Sequence, residues 1–293
     1  YNEPQNLIYK NHELLAKCKK IGENINLKYI NDFNAQDIID DILHFNLSQT
    51  PQIQNLEEFY SIFIRQNPPF NMSYITTNTL IYIKKITGFI FKHDSTSLRN
   101  CSEKTFALEF SQFMPQTLIT SDFDEAKAFY KSLGSEIILK PLYGYGGDAV
   151  FYISKKDKNL FSAFTLLKER FENLPVICQE YIPQVVTIGD KRIFLINGDV
   201  VFLFARTQAE DMSVSSSRLG GGYVPCDLTS KEEEIIKTLK PRLNELKLDI
   251  VGLDIIGGGY LTEINVTSPT GIGYAHKIYK QNYSKQIIKK LNF

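Results

Sequence analysis

The chain contains no tryptophan, no Cys-x-x-C pair and no surplus of charge of either sign, with 33 Lys+Arg facing 33 Asp+Glu among 293 residues. Balanced charge excludes a partner held mainly through phosphate contacts, so no nucleic acid partner is expected. The cysteines, Cys18, Cys101, Cys178 and Cys226, are few and far apart. That spacing excludes a disulfide-built scaffold and a paired-cysteine zinc site, and predicts reduced thiols in a cytoplasmic protein. No apolar run approaches the ~18–20 residues that cross a bilayer, so no membrane partner is expected. The first residues, YNEPQNLIYK, lack both a Met and the apolar stretch of a secretory signal, and the start reads as processed, trimmed or a fragment.

What is present is a hydrophobic fraction of 43% and an aromatic fraction of 12%, too apolar for a disordered chain. The length corresponds to about two domains. Leu7, Ile8, Leu14, Leu15 and Cys18 fall on one side of a helix over 7–21, followed by a strand at Ile25–Ile30 and a helical stripe at Ile38, Ile39, Ile42 and Phe45. Phe59–Arg65 reads as a buried strand halted by Pro68 and Pro69, residues 76–86 as a helix and Phe89–Phe91 as a strand. Alternating strands and helices predict a small parallel α/β layer, a first domain over 1–94. A unit of that kind opens on a strand, so the layer reads as short of its first one. From residue 95 to 293 the expectation is mixed α+β. Strands are expected at Glu136–Lys140, Ala149–Ile153, Val176–Tyr181, Arg192–Ile196, Val200–Arg206, Ile250–Ile256 and Tyr260–Asn265, with helices at 103–112, 123–132, 159–172 and 230–246.

Three stretches carry chemistry. Ile137-Ile138-Leu139-Lys140-Pro141, followed by Gly144-Tyr145-Gly146-Gly147, places an ammonium at a strand end beside a glycine turn. Such a pair grips nucleotide phosphates, although an ordinary glycine turn has the same look, and no GK[ST] marks a Walker loop. Asp254 on one strand, and Glu263 and Asn265 two apart on the next, can converge across the turn Gly257-Gly258-Gly259. Oxygen ligands of this kind suit Mg²⁺, the alternative being polar groups at a hairpin edge. Arg192, after Gly189-Asp190-Lys191, and Arg206 stand at strand ends, where they can clamp a phosphoryl group or remain solvated turn charges. The stretch 207–224 is Ser- and Gly-rich with few structure signals, as in a lid.

In order along the chain, RQNPPFNMSY (65–74), SLRNCSEK (97–104), ILKPLYGYGG (138–147), GDKR (189–192) and VGLDIIGGGYLTEINVTSPT (251–270) resemble the bacterial-type glutathione synthetases of the ATP-grasp superfamily. The resemblance implies an N-terminal Rossmann-like α/β domain and an ATP-grasp domain with ATP between two sheets. It implies that Lys104, Lys140, Gly146 and Gly147 meet the ATP phosphates, that Gln179, Glu180, Tyr181 and Ile182 form the adenine hinge, and that Asp190 meets the ribose. By the same resemblance Asp254, Glu263 and Asn265 hold Mg²⁺, with Mn²⁺ as the substitute. Arg192 and Arg206 serve the γ-phosphate and acyl phosphate, and Arg65, Ser268, Pro269 and Thr270 hold the peptide. The implied reaction joins γ-glutamylcysteine to glycine through an acyl phosphate, and the implied state is a homo-oligomer, tetramer or dimer. The chain departs from the family pattern at Asn67, Asn100, Ser102, Val214-Ser215-Ser216 and Gly271-Ile272-Gly273-Tyr274. Two other readings therefore stand beside the first: a carboxylate–amine ligase with another substrate, and an inactive nucleotide-binding paralogue.

Overall fold

The computed structural model describes residues 7–18, 50–59, 61–83, 90–207 and 222–291. At its start the helix expected over 7–21 gives way to a hairpin, β1 (Leu7–Lys10) and β2 (Glu13–Cys18), with β3 (Gln52–Asn55) pairing antiparallel to β2. Asn11 and His12 both take positive φ (50° and 68°), the geometry of a tight hairpin turn. Leu14 and Ala16 are buried while Glu13 and Lys17 are exposed, a period of two that the flanking leucines disguise as helical. The strand expected at 25–30 and the stripe at 38–45 lie outside the described residues. The small parallel layer does form: β4 (Ser61–Phe63) pairs with β5 (Ile90–Lys92) through the crossover helix α1 (Met72–Ile83). Asn71 accepts from the Tyr74 N–H at 3.1 Å to start that helix.

Helix α2 (Ser95–Asn100) follows, capped by Asp94, whose carboxylate accepts from the Ser97 N–H at 2.9 Å. Then α3 (Glu103–Phe106) tightens into a 3-10 segment (Ala107–Phe113) that breaks at Phe110 (φ −120°, ψ 36°). The helix expected over 103–112 is thus shorter, because Ala107, Phe110 and Phe113 must all turn into the core.

The first large sheet is antiparallel. Its strands are β6 (Thr117–Thr120), β7 (Ile137–Pro141), β8 (Phe151–Ile153) and β9 (Val176–Glu180), in the order β6-β9-β7-β8. Helices α4 (Phe123–Ser132) and α5 (Leu160–Arg170) cover one face. Side chains alternate along β7, so Ile137 and Leu139 pack under the helices while Ile138 and Lys140 face the other way.

A short α6 (Val185–Ile188) leads into the second sheet, which consists of β10 (Asp190–Ile196), β11 (Asp199–Arg206), β12 (Tyr223–Val224), β13 (Ile250–Ile256) and β14 (Tyr260–Asn265). The order is β12-β11-β10-β13-β14, antiparallel throughout. Helix α7 (Ser230–Glu245), held by a Thr229–Glu232 capping box, covers the face carrying Ile193, Leu195, Leu253 and Ile255. Two C-terminal helices, α8 (Ile272–Tyr279) and α9 (Tyr283–Lys290), cover part of the opposite face, where Phe194, Phe202 and Phe204 stack. The uncovered remainder of that face looks across a cleft toward β7.

Candidate active site

Strand pairing sets the cleft floor. Asp190 lies opposite Arg206, Arg192 opposite Asp254, and Asp254 opposite Glu263, with Asn265 two residues beyond Glu263. Partners across an antiparallel pair, and residues two apart, share a face, so six polar side chains from four strands emerge on one side. The Arg192 guanidinium grips Asp254 with two bonds, Nε to Oδ1 at 2.5 Å and Nη2 to Oδ2 at 3.1 Å. Arg206 bridges Asp190 at 2.8 Å and Asp254 at 3.1 Å. Burial works to raise the Asp254 carboxyl, but Arg192 and Arg206 together overcome it and hold it well below the usual range. On Asp190 burial prevails over Arg206, with Asp254 adding to it, and its pKa rises. Gly252 makes the close approach possible, because a Cβ there would lie 3.2 Å from Arg192 Nη1 and 3.0 Å from Pro269 Cβ.

Lys140 faces this floor from β7 and is almost wholly buried. Burial lowers its pKa to about 8, Glu263 opposing and Lys104 reinforcing the shift. Lys104, from α3, pairs with Glu263 at 3.2 Å and donates to the Gly144 carbonyl, joining the helix, the glycine turn and β14. Gly146 and Gly147 both lie at positive φ (64° and 75°), which lets the turn run close to the cleft. Neighbouring Glu103 is half-buried and accepts from Thr267 Oγ1 at 2.6 Å, with its pKa raised by desolvation and by Glu263.

One cleft of about 190 Å³ collects Lys140, Gly146, Gly147, Gln179, Glu180, Tyr181, Ile182, Asp190, Arg192, Arg206, Asp254, Glu263 and Asn265. Lys104 adjoins it through Glu263. The expected hinge residues sit where β9 runs toward β10. The Gln179 amide is committed to Thr117 Oγ1 at 2.8 Å, while Tyr181 packs on Tyr152 with ring centroids 4.3 Å apart. Sequence reasoning missed the apolar lining of Ile138, Val150, Val185 and Ile256, and also Thr262 of the cleft and Glu103 beside Lys104. Ile138 and Ile256 were within reach, each being two residues from a chosen one on the same strand.

Arg65 enters from the N-terminal layer and donates to the Pro269 carbonyl at 2.8 Å and more weakly to Ser268 Oγ at 3.4 Å. The Thr270 carbonyl accepts from Arg192 Nη1 at 3.2 Å. Residues 268–270 thus link Arg65 to the arginines of the floor. Burial lowers the Arg65 pKa.

Four cations, Lys104, Lys140, Arg192 and Arg206, meet the carboxylates of Asp190, Asp254 and Glu263 at or beside the cleft, with Glu180 on its lining and Glu103 next to Lys104. Among the described residues, Arg206 Nε is buried with no acceptor. An orphaned, buried guanidinium donor among clustered lysines and arginines favours an anion. For a cation, the Asn265 amide nitrogen is used on the Gly252 carbonyl at 3.1 Å, which leaves its oxygen beside the Asp254 and Glu263 carboxylates. That donor set is all hard oxygen and fits a divalent ion of the Mg²⁺ class.

Among solved structures the fold is shared with the ATP-grasp ligase PsnB complexed with its minimal precursor (TM-score 0.57, 15% identity, 82% of each chain). It is shared too with D-alanine–D-alanine ligase from Bacillus anthracis complexed with ATP (TM-score 0.53, 14% identity, 87% of this chain and 82% of that one). Two facing antiparallel sheets with a charged cleft between them are therefore the ATP-grasp fold. Residues 103–280 match the ATP-grasp domain of prokaryotic glutathione synthetase, and residues 1–99 match its N-terminal domain. The glutathione synthetase of Agrobacterium fabrum (strain C58) is 43% identical over 235 residues, 80% of this chain and 72% of the relative. That of Thermosynechococcus vestitus (strain NIES-2133) is 33% identical over 233 residues, 80% and 72% of the two. The chain belongs to the prokaryotic glutathione synthetase family, whose members use ATP.

Proposed function

We propose that this chain phosphorylates the C-terminal carboxylate of γ-glutamylcysteine with ATP and joins the acyl phosphate to glycine. The substrate carboxylate oxygen attacks the γ-phosphorus and ADP leaves. The glycine amine, having given up a proton, then attacks the acyl carbon and phosphate departs with the C–O bond. No protein nucleophile is required, and burial pushes the Cys178 thiol up to about 12, out of nucleophilic range.

Lys104, Lys140 and the N–H groups near Gly146 and Gly147 bind the phosphates. The adenine lies between Tyr181–Ile182 and the apolar wall of Ile138, Val150, Val185 and Ile256, flanked by Gln179 and Glu180, with the ribose at Asp190. Arg192 and Arg206 steady the transferring phosphoryl group, Arg206 with its orphaned Nε to offer. Asp254, Glu263 and Asn265 would hold Mg²⁺ or Mn²⁺, which when bound supplies charge neutralisation at the phosphates. Arg65, held in place by Pro269 and Ser268, orients the peptide. The expected lid is the stretch 207–224, of which 208–221 lie outside the described residues.

The observation that carries the reading is the single face shared by Asp190, Arg192, Arg206, Asp254, Glu263 and Asn265, opposite Lys140. Four thiols with no disulfide among them support a reducing compartment, the cytoplasm. We take the substrate domain as 1–94 and the ATP-grasp domain as 95–293, in a homo-oligomer, tetramer or dimer. The test is ADP release from Mg-ATP and γ-glutamylcysteine with and without glycine. Glycine-dependent ADP release with glutathione formed is the expected result, and nucleotide binding without turnover would overturn the substrate assignment.

A further inference from the structure

Past Arg192 and Arg206 the cleft continues into a recess of about 30 Å³, lined by Phe204, Thr270, Gly271, Tyr223 and Tyr274. That is space for about two waters, or for a very small organic group. Its outer wall is aromatic. Tyr223, from β12, and Tyr274, from α8, lie nearly parallel with centroids 3.8 Å apart and 20° between planes. Phe204 meets both edge-on, at 5.3 Å and 6.3 Å. The same tyrosine pair also lines a wider outer groove of about 350 Å³ with Pro225, Lys277 and Ile278. The stacked rings are therefore a partition between recess and groove. Gly271 is part of the fit: it lies at φ +127°, and a Cβ there would press the Phe204 ring at 3.0 Å. None of these aromatic groups has a role in holding nucleotide.

We propose that the Tyr223–Tyr274 stack is a specificity-determining wall that restricts the amine acceptor to the smallest amino acid. The inference rests on the ligase reading above and adds to it which residues set acceptor size. The recess opens onto the two arginines, so an amine lodged there is next to the group they hold. A recess this small, bounded by ring faces, favours the acceptor with the least bulk on its α-carbon. An aromatic wall against a small pocket discriminates a single carbon by about 10- to 200-fold.

The experiment measures kcat/KM with Mg-ATP and γ-glutamylcysteine for glycine and for L-alanine, with products identified by mass. Tyr274→Ala should merge recess and groove and lower the glycine-to-alanine ratio by at least about tenfold. Tyr274→Phe retains the stack and should hold the ratio within about twofold. Tyr223→Ala attacks the wall from the other strand and should move the ratio the same way. The unaltered chain gives a variant-free reading, because its rates must fall stepwise from glycine to L-alanine to L-2-aminobutyrate. Equal use of glycine and L-alanine by the unaltered chain, or an unmoved ratio in folded Tyr274→Ala and Tyr223→Ala, overturns the wall alone. No product with any amine, while ATP still binds, overturns the ligase reading and the wall with it.

Discussion

Replacing Lys140 with methionine should make the ligand-free protein more stable while it disables ATP use. The substitution keeps the long apolar stem that packs in β7 and deletes a buried ammonium. Burial lowers the Lys140 pKa from 10.5 to about 8, even though Glu263, Asp254 and Asp190 favour its charged form. A drop of that size means that holding the charge costs about 3 kcal/mol at neutral pH. Between about pH 8 and 10.5 the unfolded chain keeps the proton and the folded chain does not. The stability this site contributes therefore rises with pH through that window and is flat below it. Lys140→Met removes the cost, and at about 2 °C per kcal/mol for a chain this large its melting point at pH 7 should rise by several degrees. The advantage should shrink toward pH 10. Saturating Mg-ATP at about 100 times Kd adds about 3 kcal/mol to a protein that binds it, a gain that the variant should lose along with ADP release. Thermal melts at pH 7 and pH 9.5, with and without Mg-ATP, decide the matter. A variant that melts lower at pH 7, or whose advantage ignores pH, would refute the reasoning.

Asp254→Asn and Glu263→Gln should each lower Mg-ATP turnover at least about a hundredfold, yet they should differ in stability. Asp254 is the shared partner of buried Arg192 and half-buried Arg206, so its loss should cost about 3–5 kcal/mol in urea denaturation. Glu263 pairs with Lys104 at a partly open position and should cost far less. Equal unfolding midpoints would argue against the arginine anchor. On the far side of the sheet, Glu232→Ala takes the carboxylate, now 2.9 Å away, from the buried Lys191 ammonium and leaves it the Asp227 carbonyl, which should cost a similar 3–5 kcal/mol. The double variant Lys191→Met/Glu232→Leu should recover most of it.

Much of this was legible in the sequence, for physical reasons that differ by element. The β13–β14 hairpin announces itself through alternating apolar residues and three consecutive glycines, and Asp254, Glu263 and Asn265 could be placed on one face from spacing alone. The Lys104–Glu263 pair and the shared grip of two arginines on Asp254 could not. The first depends on α3 packing against β14 and the second on strand order β11-β10-β13, and alternation fixes a strand's faces without naming its neighbours. The β1–β2 hairpin was hidden because Asn11-His12 takes the left-handed turn without the usual glycine. Strand β6 was missed as a four-residue piece beside Pro115, and α8 because Gly271 and Gly273 read as loop. The apolar cleft lining was passed over because isoleucines and valines look like core wherever they fall.

Strand β10 has a consequence for how this protein tolerates change. At its start, neighbouring codons answer to separate requirements. Asp190 and Arg192 face the cleft, whereas Lys191 holds α7 through Glu232 and Ile193 lies in the core beneath that helix. A saturation-mutagenesis scan should therefore read out as two interleaved phenotypes, catalysis lost at one position and folded yield lost at the next. Drift that adjusts the chemistry can accumulate on even positions without disturbing the odd ones. A single-residue insertion in the strand would exchange the two sets and forfeit both at once.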